Sequence, residues 1–149
     1  MKLNLLFLIL CLLFINSCIP RLSFIKHNER LAAREATKFA EAAFVNRNYE
    51  DAYKLLPKET DASFTVDSLR EFVANMHPTN EYPTSIKATD YEVIPGQQQV
   101  NVYLTGDTNG KSLYYLLGMI GTEQTGYKVL SLYRSKEGPY PNSPMRKPL

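Results

Sequence analysis

The chain has 149 residues, with 17 Lys and Arg against 15 Asp and Glu, two histidines and two cysteines. That length suits one domain with one core, and a net charge of +2 excludes the strongly basic profile of a nucleic-acid-binding protein. No internal repeat or low-complexity block is present, tryptophan is absent, and all 10 tyrosines lie beyond residue 48.

Lys2 precedes an unbroken apolar run over residues 5–15. As a helix this run would span about 16 Å, roughly half of a hydrocarbon core of ~30 Å. It is too short to cross a bilayer and fits the apolar region of an export signal. The run leads into Ile15-Asn16-Ser17-Cys18, which resembles the lipobox of bacterial lipoproteins: a branched apolar residue, a loosely specified position, a small residue, then cysteine. The resemblance implies a signal peptide over 1–17, a diacylglycerol on the Cys18 thiol and acylation of the new amine. Each buried methylene contributes about 0.8 kcal/mol, so two or three chains hold a protein that one would release. It also implies a bacterial cell-envelope protein, exported and lipid-anchored at the periplasmic or extracellular face, with membrane lipid as partner through Cys18. The alternative is an ordinary cleaved signal with Cys18 incidental. Cys11 lies in the removed segment, so the mature chain offers Cys18 no disulfide partner, and lipidation gives that lone cysteine a reason.

Removing 17 of 149 residues leaves 132, with 16 basic and 15 acidic side chains, since Lys2 is the only charge lost. Residues 18–27 read as a tether, with Pro20 discouraging helix at its start. Asn28 is a candidate N-cap with Glu29 in the first turn. Ala32, Ala36, Phe39, Ala40, Ala43 and Phe44 then recur at three- and four-residue steps, which predicts an amphipathic helix to about residue 46. Its alanine stripe lets it lie close to a sheet. Asn48 caps a second helix over 49–56, closed by Pro57. Thr65 caps a third, marked by Leu69, Phe72, Val73 and Met76 and ended by Pro78, with Phe64 and Leu69 near staple spacing.

The period then changes from helix to strand. Residues 86–94 read as a strand ended by Pro95-Gly96, and Val100, Val102 and Leu104 alternate with Asn101, Tyr103 and Thr105. Asn109-Gly110 predicts a type I′ hairpin turn, because both central positions need positive φ. With those two central, paired residue numbers sum to 219: Leu104 faces Tyr115, Val102 faces Leu117 and Val100 faces Met119. All six share one face, as a half-buried sheet requires. A last strand over 127–133 is expected to place Leu130 and Leu132 on that core face and Val129 and Tyr133 on the other. Residues 137–149 hold Pro139, Pro141, Pro144 and Pro148 and read as a flexible extended tail.

Three helices followed by an antiparallel meander is an α+β order, with N-terminal helices packed on a curved β-meander. Phe39-Ala40 and then Asn48-Tyr49-Glu50-Asp51-Ala52-Tyr53-Lys54-Leu55-Leu56 resemble the opening of NTF2-like (cystatin-like) domains in small bacterial lipoproteins, over residues 28–136. The resemblance implies a long helix wrapped by the sheet, with a pocket between sheet and helices; Phe39, Tyr53, Leu104, Tyr115 and Leu117 are the candidate pocket residues. The superfamily includes enzymes such as ketosteroid isomerase and dehydratases, and many members without catalysis.

Gly106-Asp107-Thr108-Asn109-Gly110-Lys111-Ser112 superficially suggests a phosphate loop. It is one residue short of that spacing and runs into strand instead of helix, so a hairpin is the better reading. His27 and His77 lack neighbouring ligands and no Cys-x-x-Cys exists, so neither metal nor cofactor is expected; His77 reads as a cation at a helix C-terminus. Asp90 with Tyr91, Tyr103 or Tyr115 could be written as an acid/base site, but beside Glu92 it reads more simply as a solvated edge. The non-core face carries Tyr103, Tyr114, Leu116 and Tyr133, a candidate partner surface for a homodimer or an envelope protein, unless helices or the tail cover it. The resulting expectation is a membrane-anchored, non-enzymatic binding or accessory domain. The alternative is a small-molecule enzyme with isomerase- or dehydratase-like acid/base chemistry.

Overall fold

The computed structural model describes residues 26–58 and 63–149. The expected signal peptide over 1–17, the lipobox-like residues 15–18 and most of the expected tether lie outside the described residues. The described chain runs α1 (Glu29–Ala40), a π-helical turn (Glu41–Val45), α2 (Tyr49–Tyr53), α3 (Val66–Met76), β1 (Ser85–Val93), β2 (Gln99–Thr108), β3 (Lys111–Thr122), β4 (Gly126–Arg134) and β5 (Arg146–Pro148). No helix among the described residues is long and apolar enough to cross a membrane.

Each helix begins where a side chain satisfies its orphan amides. Asn28 Oδ1 accepts from the Leu31 amide at 3.0 Å and Asn48 Oδ1 from the Asp51 amide at 3.2 Å. Thr65 and Ser68 bond reciprocally in a capping box. The second helix is shorter than its periodicity predicts, loosening after Tyr53 into turns.

The strands form one open, curved antiparallel sheet in the order β4-β3-β2-β1-β5. Helix α1 lies against β1, β2, β3 and β4. Ala32, Ala36, Ala40 and Ala43 are fully buried, so small side chains let the helix axis approach the sheet. The β2–β3 register keeps the sum of 219 throughout, from Gln99↔Ile120 to Thr108↔Lys111. Asn109 (φ 51°) and Gly110 (φ 80°) both hold the positive φ of the turn. Val100, Val102, Leu104, Tyr115, Leu117 and Met119 all lie in the core.

Two bulges curve the sheet and reverse side-chain parity along their strands. In β1 the register shifts between Ala88 and Asp90, leaving Thr89 unpaired. In β4 the pairing passes from Gly118↔Ser131 to Met119↔Val129, so Leu130 is the extra residue. This exchanges the expected faces of Val129 and Leu130, while Leu132 keeps the core face and Tyr133 the other. Tyr127, Val129 and Leu132 are buried, whereas Leu130 is 52% exposed.

The C-terminal segment, expected as a free extended tail, is extended but paired. Arg146–Pro148 adds antiparallel to β1 opposite Asp90, Tyr91 and Glu92. The Leu149 amide then donates to the carbonyl of the bulged Thr89 at 3.1 Å. β1 is therefore an interior strand and β4 an edge.

Candidate functional site

A wide opening among the described residues lies along the free edge of β4. The C-terminal end of α2 docks there: the Val129 amide donates to the Leu55 carbonyl at 3.0 Å, and Lys128 Nζ to the Lys54 carbonyl at 2.9 Å. These bonds satisfy carbonyls that a helix end leaves unpaired. The Tyr53 hydroxyl donates to the Phe64 carbonyl at 2.7 Å and ties α2 to the start of α3. At the far end Arg134 Nη1 donates to the Met76 carbonyl at 2.7 Å. Helix α3 packs on α2 and the π turn, and the space left between it and β4 is a cleft of about 1080 Å³. Leu56, Phe64 and Phe72 of α3 form one wall, Val129, Leu132 and Tyr133 of β4 the other, and Phe39 of α1 also lines it. Lys58 and Lys128 are the charged side chains among its described walls. That volume lies just above the ~300–1,000 Å³ range of small-ligand clefts.

Of the expected pocket residues, only Phe39 lines this cleft. Leu104, Tyr115 and Leu117 fill the core under α1, and Tyr53 is half-buried in its bond to Phe64. The cleft residues Phe64, Phe72, Leu130 and Leu132 were legible only as helix or strand markers. The one available signal is Phe72, which leaves the buried stripe of Leu69 and Val73 and is 43% exposed.

His77 is not an exposed helix-end cation. It is buried at the C-cap of α3, stacked on Tyr82 with ring centroids 4.4 Å apart. Its Nδ1 lies 2.8 Å from the Val73 carbonyl, which can only accept, so Nδ1 carries the proton. Nε2 is then the acceptor for the Tyr115 hydroxyl at 2.9 Å. Burial, helped by the Arg134 charge and opposed by the Val73 bond, holds the imidazole below its ordinary pKa, and burial pushes the Tyr115 phenol up. The pair is fully satisfied and sealed in the core, a packing unit with no access to the cleft.

His27, expected in the tether, is also docked. Nε2 donates to the Gln97 carbonyl at 3.1 Å, leaving Nδ1 to accept from the Tyr127 hydroxyl at 3.3 Å. The same hydroxyl accepts from the Asn28 amide at 2.9 Å. The end of the tether is thus fixed beside the β1–β2 and β3–β4 turns. Gln98 and Gly126, the chain neighbours of Gln97 and Tyr127, line the cleft.

Asp90 and Glu92 do not form a solvated edge; they hold the C-terminal segment. Arg146 Nη2 donates to Asp90 Oδ2 at 2.8 Å, and its guanidinium carbon lies 4.1 Å from the centre of the Tyr103 ring. Glu92 accepts from Ser143 Oγ at 2.6 Å and from the Tyr103 hydroxyl at 3.0 Å. The Ser143 and Tyr103 bonds outweigh burial and keep Glu92 below the usual carboxylate range. Burial raises Asp90, but the Arg146 and Thr89 bonds and the Arg146 charge lower it further. Burial and the Glu92 bond push the Tyr103 phenol up to about 12. A carboxylate held ionised and facing a tail is the reverse of a proton-carrying general acid.

The expected partner face divides accordingly. Tyr103 lies under Tyr140 and Arg146 and is buried. Tyr114 and Leu116 are half-buried, and Tyr133 is 58% exposed on the rim of the cleft. Gly106–Ser112 is a hairpin whose Lys111 bonds Glu81. No group of three or more His, Cys, Asp or Glu that could hold a metal occurs among the described residues. Protein-family models give no match to this chain, and neither do curated proteins.

Proposed function

We propose that the chain is a lipid-anchored lipoprotein of the bacterial envelope, carrying an NTF2-like domain that binds a partner and performs no chemistry of its own. The observation that carries the binding role is the cleft along β4. Its described walls join apolar side chains to Lys, Gln, Ser and Thr, and its frame is tied at both ends by side-chain and backbone bonds. The carboxylates that could have served acid/base chemistry are engaged with the C-terminal segment, and the buried imidazole is committed to the core.

The anchoring role rests on residues 15–18 and on the absence of a second cysteine in the mature chain. Eight residues separate Cys18 from His27, a reach of at most about 32 Å. His27 docks at the end of the domain where Gln98 and Gly126 open the cleft. The anchor therefore keeps that end of the cleft near the lipid surface. Intact-mass and N-terminal analysis of the protein from its membrane tests this reading: a diacylglyceryl-modified Cys18 as first residue is expected. An unmodified chain beginning elsewhere would overturn it.

A further inference from the structure

The backbone direction of β4 identifies what its cleft is built to hold. The Ser135 amide donates inward to the Tyr114 carbonyl at 2.9 Å. In an antiparallel ladder such groups alternate, so Leu132 and Arg134 point their amides and carbonyls away from β3; Leu132 lines the cleft and Arg134 follows it at the cleft's end. Val129 points the same way, and its amide already bonds the Leu55 carbonyl. Beyond Val129 the outward groups of Leu132 and Arg134 have no protein partner among the described residues. The other wall carries Phe64, just before α3, and Phe72 of α3, and beside the strand groups are the exposed Leu130 and Tyr133.

We propose that this groove binds an extended segment of a partner polypeptide, which adds as a sixth strand to the edge of β4 and places alternate apolar side chains against α3. The proposal rests on the reading of the cleft as a binding site and names the class of its occupant. Strand addition satisfies backbone edge groups and apolar pockets at once. An acyl chain would cover the apolar walls but leave the Leu132 and Arg134 backbone groups unpaired. A second folded copy is disfavoured because α3, through Leu69 and Phe72, forms the other side of the groove. The ties at Val129 and Arg134 leave room for about four residues, or roughly 14 Å of strand. Lys58 and Lys128 select an acidic residue at the flank; Glu59 and Asp61 of the adjoining connection lie outside the described residues.

The test is selection of a displayed library of random ten-residue peptides on the purified full chain, followed by amide hydrogen exchange with the selected peptides. Enriched sequences should carry apolar residues at every second position. Their binding should slow exchange at Leu132 and Arg134. Phe72→Asp should weaken binding by tenfold or more, the effect of losing a buried aromatic anchor, while circular dichroism is unchanged; Leu130→Asp at the exposed bulge gives the same reading should Phe72→Asp fold poorly. Three results would overturn the proposal: no enrichment over the bare support, binding that leaves both amides unprotected, or palmitate displacing the peptides. None of these outcomes depends on Cys18, so a failed anchor and a failed groove are separately visible.

Discussion

The Tyr115 hydroxyl donates to His77 Nε2 across 2.9 Å in the interior of the domain, joining the middle of the sheet to the end of α3. Because Nδ1 is committed to the Val73 carbonyl, no other arrangement of protons satisfies both rings. Tyr115→Phe should therefore leave a buried acceptor unpaired and lower stability by about 1–3 kcal/mol, read as a lower urea midpoint with unchanged slope.

The same pair gives a pH dependence with a definite sign. His77 titrates below its ordinary 6.5 in the folded chain, so as pH falls through about 6.5 the unfolded chain takes up the proton first. Stability should decline across that window and level off once the folded imidazole also protonates. A second decline belongs to Glu92 and Asp90, whose folded pKa values are lowered; their contribution is present above the ordinary carboxylate range and is lost in stronger acid. Urea unfolding from pH 8 to pH 5 should show the first slope, and His77→Phe should flatten it.

The β4 bulge separates two neighbouring residues that alternation alone would assign the other way. Val129→Ala should cost about 2 kcal/mol through lost burial and a residual cavity. Leu130→Ala should cost less than about 0.5 kcal/mol, as for an exposed site. Equal costs would contradict the register.

The C-terminal segment carries one strong contact and one poor one. Arg146 bonds Asp90 and the Tyr140 carbonyl and covers the Tyr103 ring, so Arg146→Ala should destabilise by about 1–3 kcal/mol and speed amide exchange at Leu149. The Tyr140 hydroxyl is buried without a partner among the described residues. Tyr140→Phe should accordingly be neutral or stabilising in the same urea assay.

The α+β order, the three caps and the hairpin register were legible because each rests on a local rule. Asn28, Asn48 and Thr65 cap as short polar side chains do, and Asn109-Gly110 supplies positive φ at adjacent positions. What escaped depends on tertiary geometry. Thr89 and Leu130 carry no local mark of a bulge, since a bulge arises from how a whole strand must bend over α1. Prolines in 137–149 indicate extension but not whether an edge is waiting, and the Arg146–Asp90 contact spans 56 residues. The cleft escaped for a related reason. Its residues are ordinary core formers, and only the standing-off of α3 from β4 leaves Phe72 and Leu130 uncovered.

We propose that Cys18 holds the domain on a membrane. Membrane fractionation of cells producing the full chain or Cys18→Ser, with radiolabelled palmitate in the medium, tests it most directly. The account predicts label and membrane retention for the full chain and loss of both for the variant, while the urea midpoint of the domain stays unchanged. Equal retention of the two proteins, or an unlabelled full chain, would contradict it.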